Sequence, residues 1–193
     1  MSQLPNILSW IRIVISPLFF VMVISDNPDI VCLSLPVFVI GALTDYFDGW
    51  FARRMKAVSK FGKFFDPLAD KFLTGFAFLA FVVLSILPLW MVLIIIFRDV
   101  LTTVMRFIPN NGDVKQFETS YIAKIKTFVQ MVFIFIILII VFLINCPVSG
   151  LNRGDLITFI YSDWIYYSML SIVLLTLWTL LDYYKNIKIQ ELN

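Results

Sequence analysis

Apolar residues along the chain collect into six long runs, near 7–25, 30–50, 67–87, 89–108, 122–145 and 157–184. Runs of about 18 or more apolar residues have the length of a bilayer-spanning helix. The pattern therefore predicts an all-α, polytopic membrane protein built as a bundle of six transmembrane helices. These runs take up most of the 193 residues. A single integral-membrane domain over 1–193 is expected, with no room for a separate soluble one. Asn110-Asn111-Gly112-Asp113 is a turn signal after the fourth run. Pro147 to Gly154 separates the last two. The stretch from Met131 to Leu143 is apolar on every side, as lipid- or bundle-facing filler would be.

Composition agrees with the pattern. The chain is 61% hydrophobic with a mean hydropathy of +0.93 and only 15% charged residues, against about 25% charged in soluble domains. No nucleic-acid partner is expected; the net charge of +2 says little about partners, and its distribution says more. Arg53, Arg54, Lys56, Lys60 and Lys63 follow the second run. Lys115, Lys124 and Lys126 lead into the fifth, and Lys185 and Lys188 lie in the tail. With six spans, all three groups fall on one face. The opposite face offers Asp26, Asp29, Asp155 and Asp163 with Arg153. Positive residues accumulate on the cytoplasmic side, so both termini are expected there, in the cell (inner) membrane. Trp90, Trp164, Tyr166, Tyr167, Tyr183 and Tyr184 fall near the interfaces, as an aromatic belt would.

Three further readings narrow the picture. The first run carries Arg12, lacks a basic leader and has no alanine before Ala42, so it is expected to be retained rather than cleaved. Cys32 and Cys146 are too few and too far apart for a metal motif. Pairing is conceivable, since both fall near the non-cytoplasmic ends of their runs, but two buried free thiols are the expectation. The absence of histidine excludes His-based nucleophile triads and His-ligated zinc.

The chemistry concentrates between the second and third runs. On a helix, Asp45, Asp48, Gly49 and Ala52 follow the i, i+3, i+4, i+7 pattern and share one face. The small residues on that face leave space for a bulky ligand or a neighbouring helix. Arg53, one turn beyond Gly49, can reach an anionic ligand. Gly62, Asp66 and Asp70 are spaced by four and share a face if the next helix extends that far back. Pro67 favours a helix start instead, with Asp66 as its N-cap. Carboxylates at membrane depth are expensive and mark function. Asp45 would repel Asp48, and Asp66 would repel Asp70, unless hard cations intervene. Magnesium is the usual choice where phosphates complete the coordination shell. Two metal ions can clamp the attacking and leaving oxygens of a phosphoryl displacement.

Asp45-x-x-Asp48-Gly49-x-x-Ala52-Arg53, eight residues, then Gly62-x-x-x-Asp66-x-x-x-Asp70 resembles the full signature of the CDP-alcohol phosphatidyltransferases. Chain length and six spans resemble that family too. The resemblance implies a CDP-alcohol phosphotransferase-like bundle. It also implies roles for the signature residues. Asp45, Asp48, Asp66 and Asp70 would bind Mg²⁺ or Mn²⁺, two ions in all, and Asp70 would also be the general base. Gly49, Ala52, Arg53 and Gly62 would line the pocket for the CDP moiety. An alcohol would attack the phosphorus bearing diacylglycerol in CDP-diacylglycerol, and CMP would leave. A homodimer in the lipid bilayer is implied as well.

The acceptor must be read elsewhere. Pro5-Asn6 with Arg12 resembles the glycerol-3-phosphate and cardiolipin branches alike, and Lys124-Ile125-Lys126-Thr127 opening the fifth run resembles the branch that uses glycerol 3-phosphate. Arg98, Lys124 and Lys126 are expected to hold the acceptor phosphate. Snorkelling to the interface is the bland alternative for the two lysines. Arg98, deep in an apolar run, needs a partner, and Asp99 can serve. Arg98-Asp99-Val100 is closer to the cardiolipin-forming members, and Ala123 stands where the glycerol-3-phosphate branch has glycine. Phosphatidylglycerol is therefore the alternative acceptor. A cation carrier is a reading of another class, but its ionisable groups would lie near the midplane or on both sides.

Overall fold

The fold is taken from a computed structural model that describes residues 4–55, 60–107, 121–146 and 152–191, with side-chain surroundings for 10–44, 71–104, 124–146 and 152–181. All regular structure among the described residues is helical. The elements are α1 (Leu4–Val23), α2 (Pro28–Met55), α3 (Lys60–Val83), α4 (Leu89–Phe107), α5 (Tyr121–Asn145), α6 (Arg153–Ile160) and α7 (Asp163–Glu191). Helix α1 packs on α2 and α3, α2 on α5, α3 on α4, and α4 and α5 on α7.

Local chemistry sets the helix ends. Asn27 starts α2: its side chain accepts from the Asp29 N–H at 3.0 Å, and Pro28 follows at the first helical position. Helix α3 ends in a Schellman closure. The Ile86 N–H reaches the Phe81 carbonyl at 2.9 Å and the Ser85 N–H reaches the Val82 carbonyl at 2.9 Å. Ser85 takes the left-handed conformation, φ 59°, that this closure demands. The sharp turn sends α4 back along α3.

The bundle is apolar outside as well as inside. Trp10, Val14, Leu18 and Val21 form an exposed stripe on α1, and Leu93, Phe97, Val100 and Val104 form one on α4. Phe128, Val132, Ile136 and Ile139 do the same on α5. Such surfaces suit hydrocarbon rather than water. Among the described residues, Lys124–Asn145 and Arg153–Leu181 are long and apolar enough to cross a membrane; Trp10–Val23, Pro28–Thr44 and Lys71–Val83 are shorter apolar helices. In the core, the Phe38 ring lies 5.1 Å from Phe19 and 5.2 Å from Phe135 between ring centroids. At Gly41 a Cβ would stand 3.2 Å from Leu73, so the glycine lets α2 approach α3 closely.

Three expectations are corrected. Cys32 and Cys146 are disulfide-bonded, their Cα atoms 5.8 Å apart across a sequence separation of 114. The first turn of α2 and the end of α5 meet at one end of the bundle, which linear spacing cannot reveal. The sixth apolar run is divided: α6 stops at Ile160, and α7 starts at Asp163. The Tyr161 hydroxyl donates to the Leu84 carbonyl at 3.0 Å, fixing the break against the α3–α4 turn. Pro67 does not begin a helix, because α3 already runs from Lys60.

Candidate active site

The signature residues sit on two consecutive helices that turn back on each other. Helix α2 is continuous to Met55 and α3 begins at Lys60. Asp45, Asp48, Gly49 and Ala52 therefore share one face of α2, with Arg53 beside them. Gly62, Asp66 and Asp70 share one face of α3. The side chains of these eight residues lie outside the described ones. As a donor set, four carboxylates with no nitrogen or sulfur match a hard divalent cation. Among the described residues no other group of three His, Cys, Asp or Glu is placed to hold a metal ion.

Directly after the signature, described side chains from three helices converge on a carboxylate. Asp99 of α4 pairs with Lys126 of α5, with Arg98 at 3.1 Å and with Lys71 of α3 at 3.6 Å. Arg98 also donates from Nη2 to the Thr179 hydroxyl of α7 at 2.7 Å. That hydroxyl in turn donates to the Thr176 carbonyl at 2.8 Å. Lys126 is 1% exposed, Arg98 and Asp99 8% each. Burying ions this deeply costs several kcal/mol per ion unless they are paired, and here three cations share a single carboxylate. Two donors in the same layer also lack partners: Arg98 Nε and Gln130 Nε2. Gln130 lies one turn along α5 from Lys126, on the same face. Excess positive charge with unused donors is what an oxyanion would complete.

The expected acceptor residues divide. Arg98 and Lys126 come together around Asp99. Lys124 is exposed, because two residues along a helix turn a side chain to nearly the opposite side. Asp99 does partner Arg98. Arg12, fully buried in α1, adds a cation on the helix that packs against α2 and α3. Lys71, Gln130 and Thr179 were not singled out from the sequence. A signal existed for Gln130, a lone amide four residues after Lys126 in an otherwise apolar run. Lys71 was hidden by its place directly after Asp70, where it looks like one more interfacial lysine.

Comparison with known proteins bears on the family. The sequence pattern of the CDP-alcohol phosphatidyltransferase family matches residues 2–178. A CDP-diacylglycerol–glycerol-3-phosphate 3-phosphatidyltransferase of Bacillus subtilis is 32% identical over 185 residues, covering 87% of this chain and 95% of its own. A protein of the same description from Rickettsia typhi is 34% identical over 131 residues, covering 68% and 73%. A Drosophila melanogaster protein described as "Probable cardiolipin synthase (CMP-forming)" is 30% identical over 145 residues, covering 66% and 44%.

Proposed function

Because this chain belongs to the CDP-alcohol phosphatidyltransferase family, we propose that it transfers a phosphatidyl group from CDP-diacylglycerol to glycerol 3-phosphate, releasing CMP and forming phosphatidylglycerophosphate. The chain is a membrane enzyme of phospholipid synthesis. Six helices, α1 to α5 and α7, span the cell (inner) membrane, with both termini and the reaction site on the cytoplasmic side. The Cys32–Cys146 disulfide supports this orientation, since disulfides persist away from the reducing cytosol and this one sits at the end opposite the signature. The enzyme works as a homodimer in the bilayer.

In the reaction, Asp70 takes the proton from the acceptor hydroxyl. The freed oxygen bonds to the phosphorus that carries diacylglycerol, and the bond from that phosphorus to the CMP oxygen breaks. Gly49, Ala52, Arg53 and Gly62 would bind the CDP moiety, Arg53 through its diphosphate. Asp45, Asp48 and Asp66, with Asp70, would hold Mg²⁺ or Mn²⁺. When bound, two such ions stabilise negative charge on the attacking and leaving oxygens. Arg98, Lys126 and Lys71 hold the acceptor phosphate, with Lys124 nearer the surface as an approach cation.

The observation that carries the choice of acceptor is the buried cluster of three cations on one carboxylate. Among the described residues its three cations exceed its one carboxylate by two charges, which matches the phosphate monoester of glycerol 3-phosphate, carrying about −1.5 to −2 like other phosphate monoesters near pH 7. Phosphatidylglycerol, the alternative acceptor, offers only a singly charged diester. Arg98-Asp99-Val100 and the cardiolipin synthase relative favour that second reading. The test is CMP release from CDP-diacylglycerol and Mg²⁺ in detergent, with each acceptor supplied alone. Release driven by glycerol 3-phosphate is expected. Release driven only by phosphatidylglycerol makes the enzyme a cardiolipin synthase.

A further inference from the structure

Arg98 is buried in the bundle with two anchors and one donor to spare. Its Nη1 donates to Asp99 Oδ1 at 3.1 Å, an oxygen that Lys126 also uses, while Lys71 pairs with Oδ2. Asp99 is thus divided among three cations, and one shared oxygen leaves the guanidinium plane free to turn. The second anchor comes from α7, 81 residues further along the chain, where Nη2 donates to the Thr179 hydroxyl at 2.7 Å. Nε is buried and has no partner among the described residues.

The Thr179 hydroxyl is itself fixed. It donates its proton to the Thr176 carbonyl at 2.8 Å, so its lone pairs are what it offers to Arg98. Thr179 is buried where α7 packs on α4, so solvent does not compete for the bond. A hydroxyl also differs from a carboxylate in what it leaves behind. It holds one end of the guanidinium without cancelling the positive charge, whereas a carboxylate in its place would give a neutral pair. The arginine is thereby fixed in plane, still cationic, and left with an unused donor, as the binding of an oxyanion requires.

We propose that Thr179 is a positioning residue for the acceptor site: by holding Nη2 it fixes the plane of Arg98, so that Nε stands ready for the acceptor phosphate. The inference rests on the transferase reading above. Holding the side chain before the substrate arrives removes the ordering cost that an unheld arginine meets on binding. In this role Thr179 acts through Arg98 rather than on the substrate. It also gives α7, which carries none of the signature residues, a defined part in selecting the acceptor.

Thr179→Val keeps the shape and removes the hydroxyl. The KM for glycerol 3-phosphate is expected to rise roughly fivefold, with kcat and the KM for CDP-diacylglycerol within about twofold of wild type. Thr179→Ser, which restores the hydroxyl, should bring the KM back to within about twofold. Thr176→Val is the control. It removes a buried hydroxyl that bonds only within its own helix, to the Ile172 carbonyl, and leaves the backbone carbonyl that Thr179 uses, so the KM should not move. If the valine variant at 179 melts below wild type, Thr179→Ala is read in its place. An unchanged KM for glycerol 3-phosphate, equal changes for both substrates, no recovery with serine, or the same rise in Thr176→Val overturns the proposal. Calorimetric binding of glycerol 3-phosphate to the purified protein, without donor, separates this failure from failure of the transferase reading. Normal CMP release by wild type, with equal binding by wild type and Thr179→Val, refutes the positioning role alone. Weaker binding by Thr179→Val, with no CMP release by wild type, supports the positioning role and refutes the transferase reading. Neither binding nor release by wild type overturns both.

Discussion

The two ends of the bundle are built on opposite principles. At the end holding the Cys32–Cys146 disulfide and the α3–α4 turn, the interior is apolar and closely packed, with Phe19, Phe38, Phe81 and Met91 fully buried. Toward the signature end, the interior holds Arg12, Arg98, Asp99, Lys126 and Gln130, all buried, with Arg98 Nε and Gln130 Nε2 unused. The first arrangement gains from packing and leaves nothing to bind. The second spends stability on buried charge and, among the described residues, holds more cations than anions. Side-chain chemistry, rather than helix number or length, separates scaffold from site in a protein whose described helices carry apolar stripes on the outside.

That contrast can be broken from either side. The largest effect is expected at the signature. Asp70→Asn removes the proton acceptor and should lower turnover roughly 10²- to 10⁴-fold with little change in thermal stability. Near-normal turnover in a folded variant removes Asp70 from the mechanism. Phe38→Ala, in the scaffold, should cost about 3–5 kcal/mol of stability, seen as a lower melting temperature in detergent with both KM values unchanged. A shift in either KM would mean that the two ends are coupled. Reducing the disulfide, or Cys32→Ser, should cost about 2–4 kcal/mol and spare the activity of the folded protein; thiol labelling with and without reductant checks the bond itself. The smallest effect is a gain. Ser85→Gly relieves a left-handed residue and should stabilise the protein by about 1 kcal/mol, measured in the same melting assay.

The helices were legible because hydrocarbon demands long apolar runs: α1 to α5 fall where the first five runs do. The break after Ile160 was not legible, since it is held by the Tyr161–Leu84 contact between segments 77 residues apart in sequence. Pro67 misled as a start signal because helix α3 is continued on its N-terminal side from Lys60. The disulfide needed the topology before the distance between Cys32 and Cys146 meant anything. The acidic signature stood out by its spacing, which puts its residues on one face of each helix, though its side chains lie outside the described ones. Of the proposed acceptor pocket, Arg98 and Lys126 stood out as charges in apolar runs, and Asp99 was visible as a neighbour. Its role as the shared partner of three helices was not, because Lys71, Asp99 and Lys126 meet only in three dimensions. The apolar stretch from Met131 to Leu143 proved to face both ways, burying Ile134, Ile137 and Leu138 and exposing Ile136 and Ile139.

The most direct test of the division between scaffold and site is the kinetics of Lys126→Met. The substitution keeps an unbranched apolar stem and leaves Asp99 paired with Arg98 and Lys71. A charged hydrogen bond to the acceptor phosphate is worth about 1.5–3 kcal/mol. The KM for glycerol 3-phosphate should therefore rise roughly tenfold or more, while the KM for CDP-diacylglycerol stays near wild type. Equal changes in both, or none in either, in a variant that melts normally would contradict the buried cluster as the acceptor site.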